Sequence, residues 1–151
     1  CRRQRQMCIR DREYTIPIGL AEVKREGNDV TVVSFGKIIK EAYKAAELLS
    51  SEGIECEIID LRTVRPMDNK TIIDSVKKTN RLVILEEAWP FGNVSTEITY
   101  QVQSQAFDFL DAPIEKINTA DTPAPYSPVL LKEWLPNSND VINAVKKVLY
   151  K

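Results

Sequence analysis

The sequence predicts an α/β fold on a mostly parallel sheet, because short β-branched runs alternate with segments that carry apolar residues at helical spacing. Glycine, asparagine or proline stands between most of these segments, where turns are expected. The sequence contains no internal repeat. It also contains no run of the ~18 apolar residues that a membrane-spanning helix needs. The pattern therefore predicts one α/β domain rather than a repeat or membrane protein.

The first two predicted strands are each followed by a helical pattern. Asp29–Ser34 is a β-branched run, and a helical period follows from Ile39 until Gly53 stops it. Glu55–Asp60 is the second strand, and Asp68 is expected to cap a helix that carries lysines in its last turn. Two strand–helix units in succession are typical of a parallel sheet.

The second half of the chain continues the alternation and then changes character. Arg81–Glu86 and Ile114–Ile117 are predicted strands, with a less regular helix over Ile98–Ala106 between them. Four prolines fall within Thr122–Asn137, which predicts a long extended excursion of the kind that is usually functional or lies on a partner. A closing helix is expected over Asn139–Leu149.

Residues 1–12 differ from the rest of the chain, because they carry five arginines and show no apolar period. They resemble the in-frame translation of a sequencing-library adapter, so we interpret them as a disordered scar that precedes a domain over residues 13–151. On this interpretation the chain is a fragment of a longer protein. A natural basic arm that binds nucleic acid and a targeting peptide are the alternatives.

Charge and composition exclude several classes of function. When the five arginines and one aspartate of residues 1–12 are left out, the net charge changes from −1 to −5. The remaining domain is therefore acidic, and an acidic domain is a poor nucleic-acid binder. The chain contains no histidine, which excludes a Ser/His/Asp or Cys/His relay and a histidine-ligated metal within it. Cys56 lies in an apolar run, which predicts a buried inert thiol and a reducing environment.

The segment Ile59–Asp68 is the most informative part of the chain, because it carries Arg62 and Arg65 between a strand and a helix. Pro66 disfavours helical geometry at Arg65, so a turn is expected to precede the helix. Ligands and partner surfaces in such sheets meet the carboxyl ends of the strands. Planar guanidinium groups at that edge would hold an anion or a carboxylate of the protein rather than transfer protons.

Polar and aromatic residues that follow the third strand are interpreted as structural or interfacial. Glu86 and Glu87 are adjacent, and neighbouring strand residues point to opposite faces, so they are not expected to form an acid/base dyad. Glu86, or the aspartate that ends the second strand, is instead expected to neutralise one of the two arginines. Trp89, which precedes a proline, is expected to pack or to lie in an interface.

Several motifs together resemble a known family. They are Tyr14–Gly19, Asp60–Asp68, Lys78–Ile84, Glu86–Pro90 and Ala120–Tyr126. On these motifs, residues 13–151 resemble the carboxyl-terminal domain of pyruvate dehydrogenase (2-oxo acid dehydrogenase) E1 beta subunits, a branch of the transketolase family. The Glu-Glu-x-Trp-Pro and Asp-Thr-Pro-x-Pro-Tyr runs narrow the resemblance to the 2-oxo acid dehydrogenases.

The resemblance implies a three-layer α/β/α sandwich on a mostly parallel sheet with one antiparallel strand. It also implies a bacterial, cytoplasmic heterotetramer with E1 alpha subunits and a second beta subunit, in which thiamin diphosphate and magnesium bind outside this fragment. The whole enzyme would decarboxylate pyruvate and reductively acetylate lipoyl groups of an acetyltransferase core. No catalytic, cofactor-binding or metal-binding residue is assigned to this domain, and its structural or interface residues are Arg62, Arg65, Glu86, Glu87 and Trp89.

A part in docking the core is also expected from the resemblance. The subunit-binding domain of the dihydrolipoamide acetyltransferase would be basic, and complementary charge speeds and orients docking to an acidic surface. A solvated acidic edge without a partner is the alternative interpretation. The candidate residues, chosen near the last strand and the closing helix, are Asp108, Asp111, Glu115 and the terminal Lys151.

Two other functions remain open at this point. The beta subunit of a branched-chain 2-oxo acid or acetoin dehydrogenase would share the fold, and the residues that decide between these substrates would lie outside the chain. Outside enzymes, an independent α/β module could use the arginines at the strand end to bind a small anion.

Overall fold

A computed structural model describes residues 15–151 of the chain. The predicted boundary between an adapter-like segment over residues 1–12 and a domain that begins at residue 13 lies outside the described residues. The strands are β1 (Glu22–Arg25), β2 (Val30–Ser34), β3 (Cys56–Asp60), β4 (Leu82–Leu85) and β5 (Glu115–Ile117). The helices are α1 (Ile39–Ser51), α2 (Asn69–Thr79), α3 (Val94–Ala106), α4 (Pro128–Trp134) and α5 (Ser138–Val148), with 3-10 turns at Gly36–Ile38 and Phe107–Phe109.

The five strands form one sheet in the order β1-β3-β2-β4-β5. Strands β2 to β5 are parallel, and β1 runs antiparallel to β3, with Glu22 opposite Asp60. Strands β2, β3 and β4 are aligned so that Ser34 lies beside both Asp60 and Leu85. The sheet therefore has a well-defined carboxyl edge, and the predicted parallel sheet with one antiparallel strand is confirmed.

Helices cover both faces of this sheet. One core joins α1 and α5 to one set of alternating strand residues, among them Val32, Ile58 and Val83. The other core joins α2 and α3 to the intervening residues, among them Val33 and Ile59. Alternate side chains of each strand thus point into opposite cores, as pleated strands buried on both faces require. The predicted three-layer α/β/α fold is confirmed.

A cluster of buried polar groups lies between α2 and the sheet. Glu57 of β3 is only 2% exposed, and its carboxylate accepts hydrogen bonds from Ser75 and Lys78. The Thr31 hydroxyl lies 2.6 Å from the Ser75 hydroxyl and 2.7 Å from the Thr79 hydroxyl. These bonds connect β2, β3 and α2, so the buried charge has the partners that burial demands.

Two elements differ from the sequence-based expectation. Thr122–Asn137 was expected to be an extended excursion, but it contains α4, with Pro128 in the first turn. A proline is tolerated there because the first-turn N–H has no partner within the helix. The antiparallel strand β1 has the sequence Glu-Val-Lys-Arg, which lacks the β-branched run of an internal strand, so its position could not be found by that criterion. Its place at the sheet edge suits charged residues.

Within residues 15–151, no helix is long and apolar enough to cross a membrane.

Candidate functional site

The two predicted arginines lie at the carboxyl end of β3 in different environments. Arg62 adopts a φ of 57°, its backbone N–H donates to Asp60 Oδ1 at 3.1 Å, and its guanidinium forms an ion pair with Glu22 of β1. The hydrogen bond from Lys24, together with the charge of Arg62, lowers the pKa of Glu22. The ion pair of Arg62 therefore links the edge strand β1 to the carboxyl end of β3.

Arg65 is exposed, and across residues 15–151 its guanidinium has no ion pair or hydrogen bond. Its charge remains available to a partner surface. Of the two alternatives predicted for the arginines, Arg62 holds a carboxylate of the protein, whereas Arg65 is an exposed cation.

The corner after β3 also holds the segment that precedes β1. Asp68 caps α2 by accepting the Thr71 N–H at 3.1 Å, and its other oxygen accepts the Ala21 N–H at 3.0 Å. Burial acts to raise the pKa of Asp68, but the hydrogen bonds from Thr71 and Ala21 outweigh it and lower the pKa. The Gly19 N–H donates to the Thr63 hydroxyl at 3.0 Å. The polypeptide thus approaches β1 along the carboxyl edge of the sheet.

Glu86 has partners other than the arginines expected for it. Its carboxylate is 3% exposed and accepts the backbone N–H groups of Val94 and Ser95 at 3.2 and 2.9 Å. A buried carboxylate is well placed at a helix N-terminus, where free N–H groups and the helix dipole favour negative charge. Glu86 therefore positions α3, whereas the adjacent Glu87 is exposed.

Two tryptophans form one wall of a cleft beside α3. The indole N–H groups of Trp89 and Trp134 both donate to the Thr122 carbonyl, at 3.1 and 3.0 Å. The cleft has a volume of about 660 Å³, and Phe91, which is 90% exposed, lies at its rim. Shared hydrogen bonding to one carbonyl fixes both indoles, so this aromatic surface is preformed.

Further apolar side chains are exposed on α4 and on the loop before it. Tyr126, Val129 and Leu130 are all more than half exposed. Sequence reasoning found Trp89 but missed these residues, because it treated the proline-rich segment as extended. Apolar side chains concentrated on one surface are typical of protein interfaces. Trp89, Phe91 and Trp134 line the same cleft, and we call the surface that they form the aromatic face.

The candidate docking acids lie at the other end of the sheet and are partly neutralised. Asp111 pairs with Arg81 at 3.6 Å, and its carbonyl accepts the Tyr150 hydroxyl at 3.3 Å. Glu115 pairs with Lys147 at 2.8 Å. Asp108 and Lys151 are exposed. Asp111 and Glu115 therefore both contact residues at the end of the chain, but as members of mixed-charge pairs.

No set of three His, Cys, Asp or Glu side chains in residues 15–151 is arranged to hold a metal ion. Cys56 is buried, and burial raises the pKa of its thiol to about 12, so the reactive thiolate is scarce at neutral pH. The described residues therefore contain neither a metal-binding cluster of this kind nor a readily ionised thiol.

Comparison with known proteins agrees with the motif-based resemblance. The family model for the transketolase C-terminal domain matches residues 19–141. The chain is 53% identical over 135 residues to "Pyruvate dehydrogenase E1 component subunit beta" of Rickettsia felis, covering 89% of this chain and 41% of that protein. It is 48% identical over 138 residues to the mitochondrial protein of that name in Dictyostelium discoideum, covering 91% of this chain and 39% of that protein.

A solved structure described as "Split gene transketolase, inactive beta4 tetramer" has a TM-score of 0.81 and 27% identity to the chain. The match covers 91% of this chain and 44% of the solved one. The chain spans about two fifths of the length of the two curated relatives above. The predicted resemblance is confirmed: the chain belongs to the transketolase C-terminal domain family.

Proposed function

We propose that this chain is the carboxyl-terminal assembly domain of the beta subunit of a pyruvate dehydrogenase E1 component. The observation that carries the proposal is identity of about one half, over nine tenths of the chain, to proteins of that name. Residues 15–151 contain no group of three His, Cys, Asp or Glu side chains that could hold a metal ion, and the chain has no histidine for a catalytic relay. The domain contributes contacts, and the reacting groups belong to the rest of the enzyme.

The complete enzyme, on this proposal, decarboxylates pyruvate with thiamin diphosphate and magnesium bound outside this domain, and reductively acetylates lipoyl groups. The two relatives named above carry the pyruvate dehydrogenase name, which favours pyruvate over a branched-chain 2-oxo acid or acetoin. Relatives from Rickettsia felis and Rhizobium meliloti support a bacterial, cytoplasmic enzyme, although the Dictyostelium discoideum relative is mitochondrial.

The aromatic face and Arg65 form the subunit contact in this proposal, with E1 alpha subunits and a second beta subunit as the partners. Trp89 is 53% exposed although its indole is fixed, and Arg65 is a cation without an internal partner in the part of the chain that the structure describes. Aromatic residues and arginine are the side chains that most often dominate interface energies. The similar solved protein, a "beta4 tetramer", is itself an assembly of beta chains, which supports a contact between beta subunits.

Trp89→Asp tests this contact in the full-length beta subunit co-expressed with its alpha subunit. Burying an unpaired carboxylate in an interface is unfavourable, so the heterotetramer is expected to dissociate at concentrations where the unmodified protein stays assembled. Light scattering after size-exclusion chromatography measures the mass. Tyr100→Asp, at a 65% exposed position on α3, is the matched control. An intact tetramer with Trp89→Asp and an unchanged melting temperature would refute the contact.

The second surface, around Asp111 and Glu115, is proposed to dock the subunit-binding domain of the dihydrolipoamide acetyltransferase. Asp111→Lys places a cation beside Arg81 and should weaken binding of a basic partner by about tenfold at low salt. Titration calorimetry with that domain measures the dissociation constant. Glu47→Lys makes the same charge change at an exposed position on α1. Unchanged affinity at low salt would count against docking at Asp111.

A further inference from the structure

A second cleft lies where the order of strands in the sheet reverses. The chain passes from β2 through α1 to β3 on one side, and from β3 through α2 to β4 on the other side of β2. In open α/β sheets, ligands bind outside the carboxyl ends of the strands at such a reversal. The cleft there has a volume of about 360 Å³, and its lining includes Lys37 and Lys40 beside β2 and Glu87 after β4.

Lysines dominate the lining of this cleft. Lys37, Lys40 and Lys44 follow one another at intervals of three and four residues, so they share one side of the start of α1, and Lys132 of α4 also lines the cleft. Glu41 and Glu87 are the acidic residues of the lining. Four cations against two anions make the cleft positive, although the chain as a whole is acidic.

Internal ion pairs do not account for these lysines. Lys44 lies 2.6 Å from Glu41. Lys37, Lys40 and Lys132, by contrast, make no ion pair or hydrogen bond through their side chains anywhere in residues 15–151. Elsewhere in the described chain most lysines are paired, as Lys70 is with Asp74. Lys37, Lys40 and Lys132 are exposed, so their ammonium groups are accessible to an anion that enters the cleft.

The other residues that line the cleft indicate that a ligand would also carry an apolar portion. Ile38, Leu135 and Pro136 supply apolar surface beside the ammonium groups. The cations of the lining are lysines, whose ammonium groups are common point-charge partners of phosphate. The cleft volume falls within the range of small-molecule sites. We propose that this cleft binds a small phosphorylated organic molecule.

This inference does not depend on the proposed subunit contacts, because the chain alone supplies every residue of the cleft. The test is a titration of the isotope-labelled 151-residue chain with inorganic phosphate and with phenyl phosphate at low ionic strength, followed by amide NMR shifts. Saturable changes are expected over residues 36–41 and 132–137. Phenyl phosphate should bind several-fold more tightly than inorganic phosphate, because only phenyl phosphate contacts the apolar surface. Equal affinities would contradict an organic ligand.

Two double variants with the same charge change distinguish binding in this cleft from nonspecific binding of phosphate to lysines. The double change Lys37→Gln and Lys40→Gln should weaken phenyl phosphate binding by at least about tenfold, since two close cations are lost. Lys70→Gln with Lys77→Gln on α2 makes the same charge change away from the cleft and should leave affinity unaltered.

A variant that is expected to bind more tightly distinguishes a specific effect on the site from a loss of folding, because an unfolded chain would bind more weakly. Glu87→Gln removes an anion from the lining and should tighten phenyl phosphate binding by a few-fold. Shifts spread evenly over all lysine-containing segments, equal weakening by the two double variants, or weaker binding with Glu87→Gln would each overturn the proposed site.

Discussion

Gly27→Ala is expected to lower the free energy of unfolding by on the order of 4 kcal/mol. A Cβ at this position would lie 2.3 Å from the Cys56 carbonyl carbon and 2.4 Å from the Glu57 nitrogen. Both are backbone atoms of β3, which is hydrogen-bonded on both sides and cannot shift alone. The loop is also held close by the Asn28 and Asp29 N–H groups, which donate to the Glu55 carbonyl at 3.1 Å.

Urea unfolding monitored by circular dichroism measures this effect. Gly53→Ala is the matched control, because Gly53 has a φ of +77° but no atom lies within 4 Å of the added Cβ. That change should cost only the backbone strain of a left-handed residue, about 1 kcal/mol. If the two variants unfold at the same urea concentration, the close approach of the Gly27 loop to β3 is refuted.

Glu57→Ala is expected to lower the free energy of unfolding by about 3 kcal/mol. The change removes the acceptor for the Ser75 hydroxyl and the Lys78 ammonium, and leaves a void between β3 and α2. Glu57→Gln keeps an acceptor for Ser75 and loses only the charge, so it should cost about 1 kcal/mol. Glu26→Gln removes the other, exposed partner of Lys78 and should leave stability nearly unchanged. Equal stability of the two Glu57 variants would contradict the role of the hydrogen bonds.

The same cluster gives stability a pH dependence with a definite sign. Burial alone would raise the pKa of Glu57, but hydrogen bonds from Lys78 and Ser75 outweigh it and hold the pKa below its ordinary value of 4.5. The stabilisation is therefore complete above about pH 4.5 and is lost as the pH falls through the lower folded-state value. The stability difference between the unmodified chain and Glu57→Gln should shrink in that acidic range. A difference that grows on acidification would contradict the lowered pKa.

The parts of the fold that are determined by residues close together in the sequence could be predicted from the sequence. Strands β2, β3 and β4 are short segments rich in apolar and β-branched residues, and this pattern can be recognised without knowledge of distant partners. The Asp68 cap was predictable because its acceptor role depends on the next three residues. The antiparallel strand was implied by the family resemblance, although its residues were not identified.

Contacts between distant residues were not predictable in the same way. Arg62 pairs with Glu22, 40 residues earlier, and no local pattern distinguishes that carboxylate from Glu86. The lysine cleft joins α1 to Lys132, and only the spacing of Lys37, Lys40 and Lys44 along one side of a helix could have suggested it. The helix α4 was missed because proline was treated as a breaker, while at the first turn it is compatible with a helix.

On the proposed function, the carboxyl edge of this domain would assemble the enzyme and take no part in its chemistry. The most direct test is Arg65→Ala in the full-length beta subunit with its alpha partner, with assembled mass and pyruvate turnover measured on the same chromatographic fractions. The expected result is weaker assembly, with turnover per assembled tetramer equal to that of the unmodified enzyme. Normal assembly and melting with lost turnover would contradict the claim, because Arg65 would then act on the reacting groups.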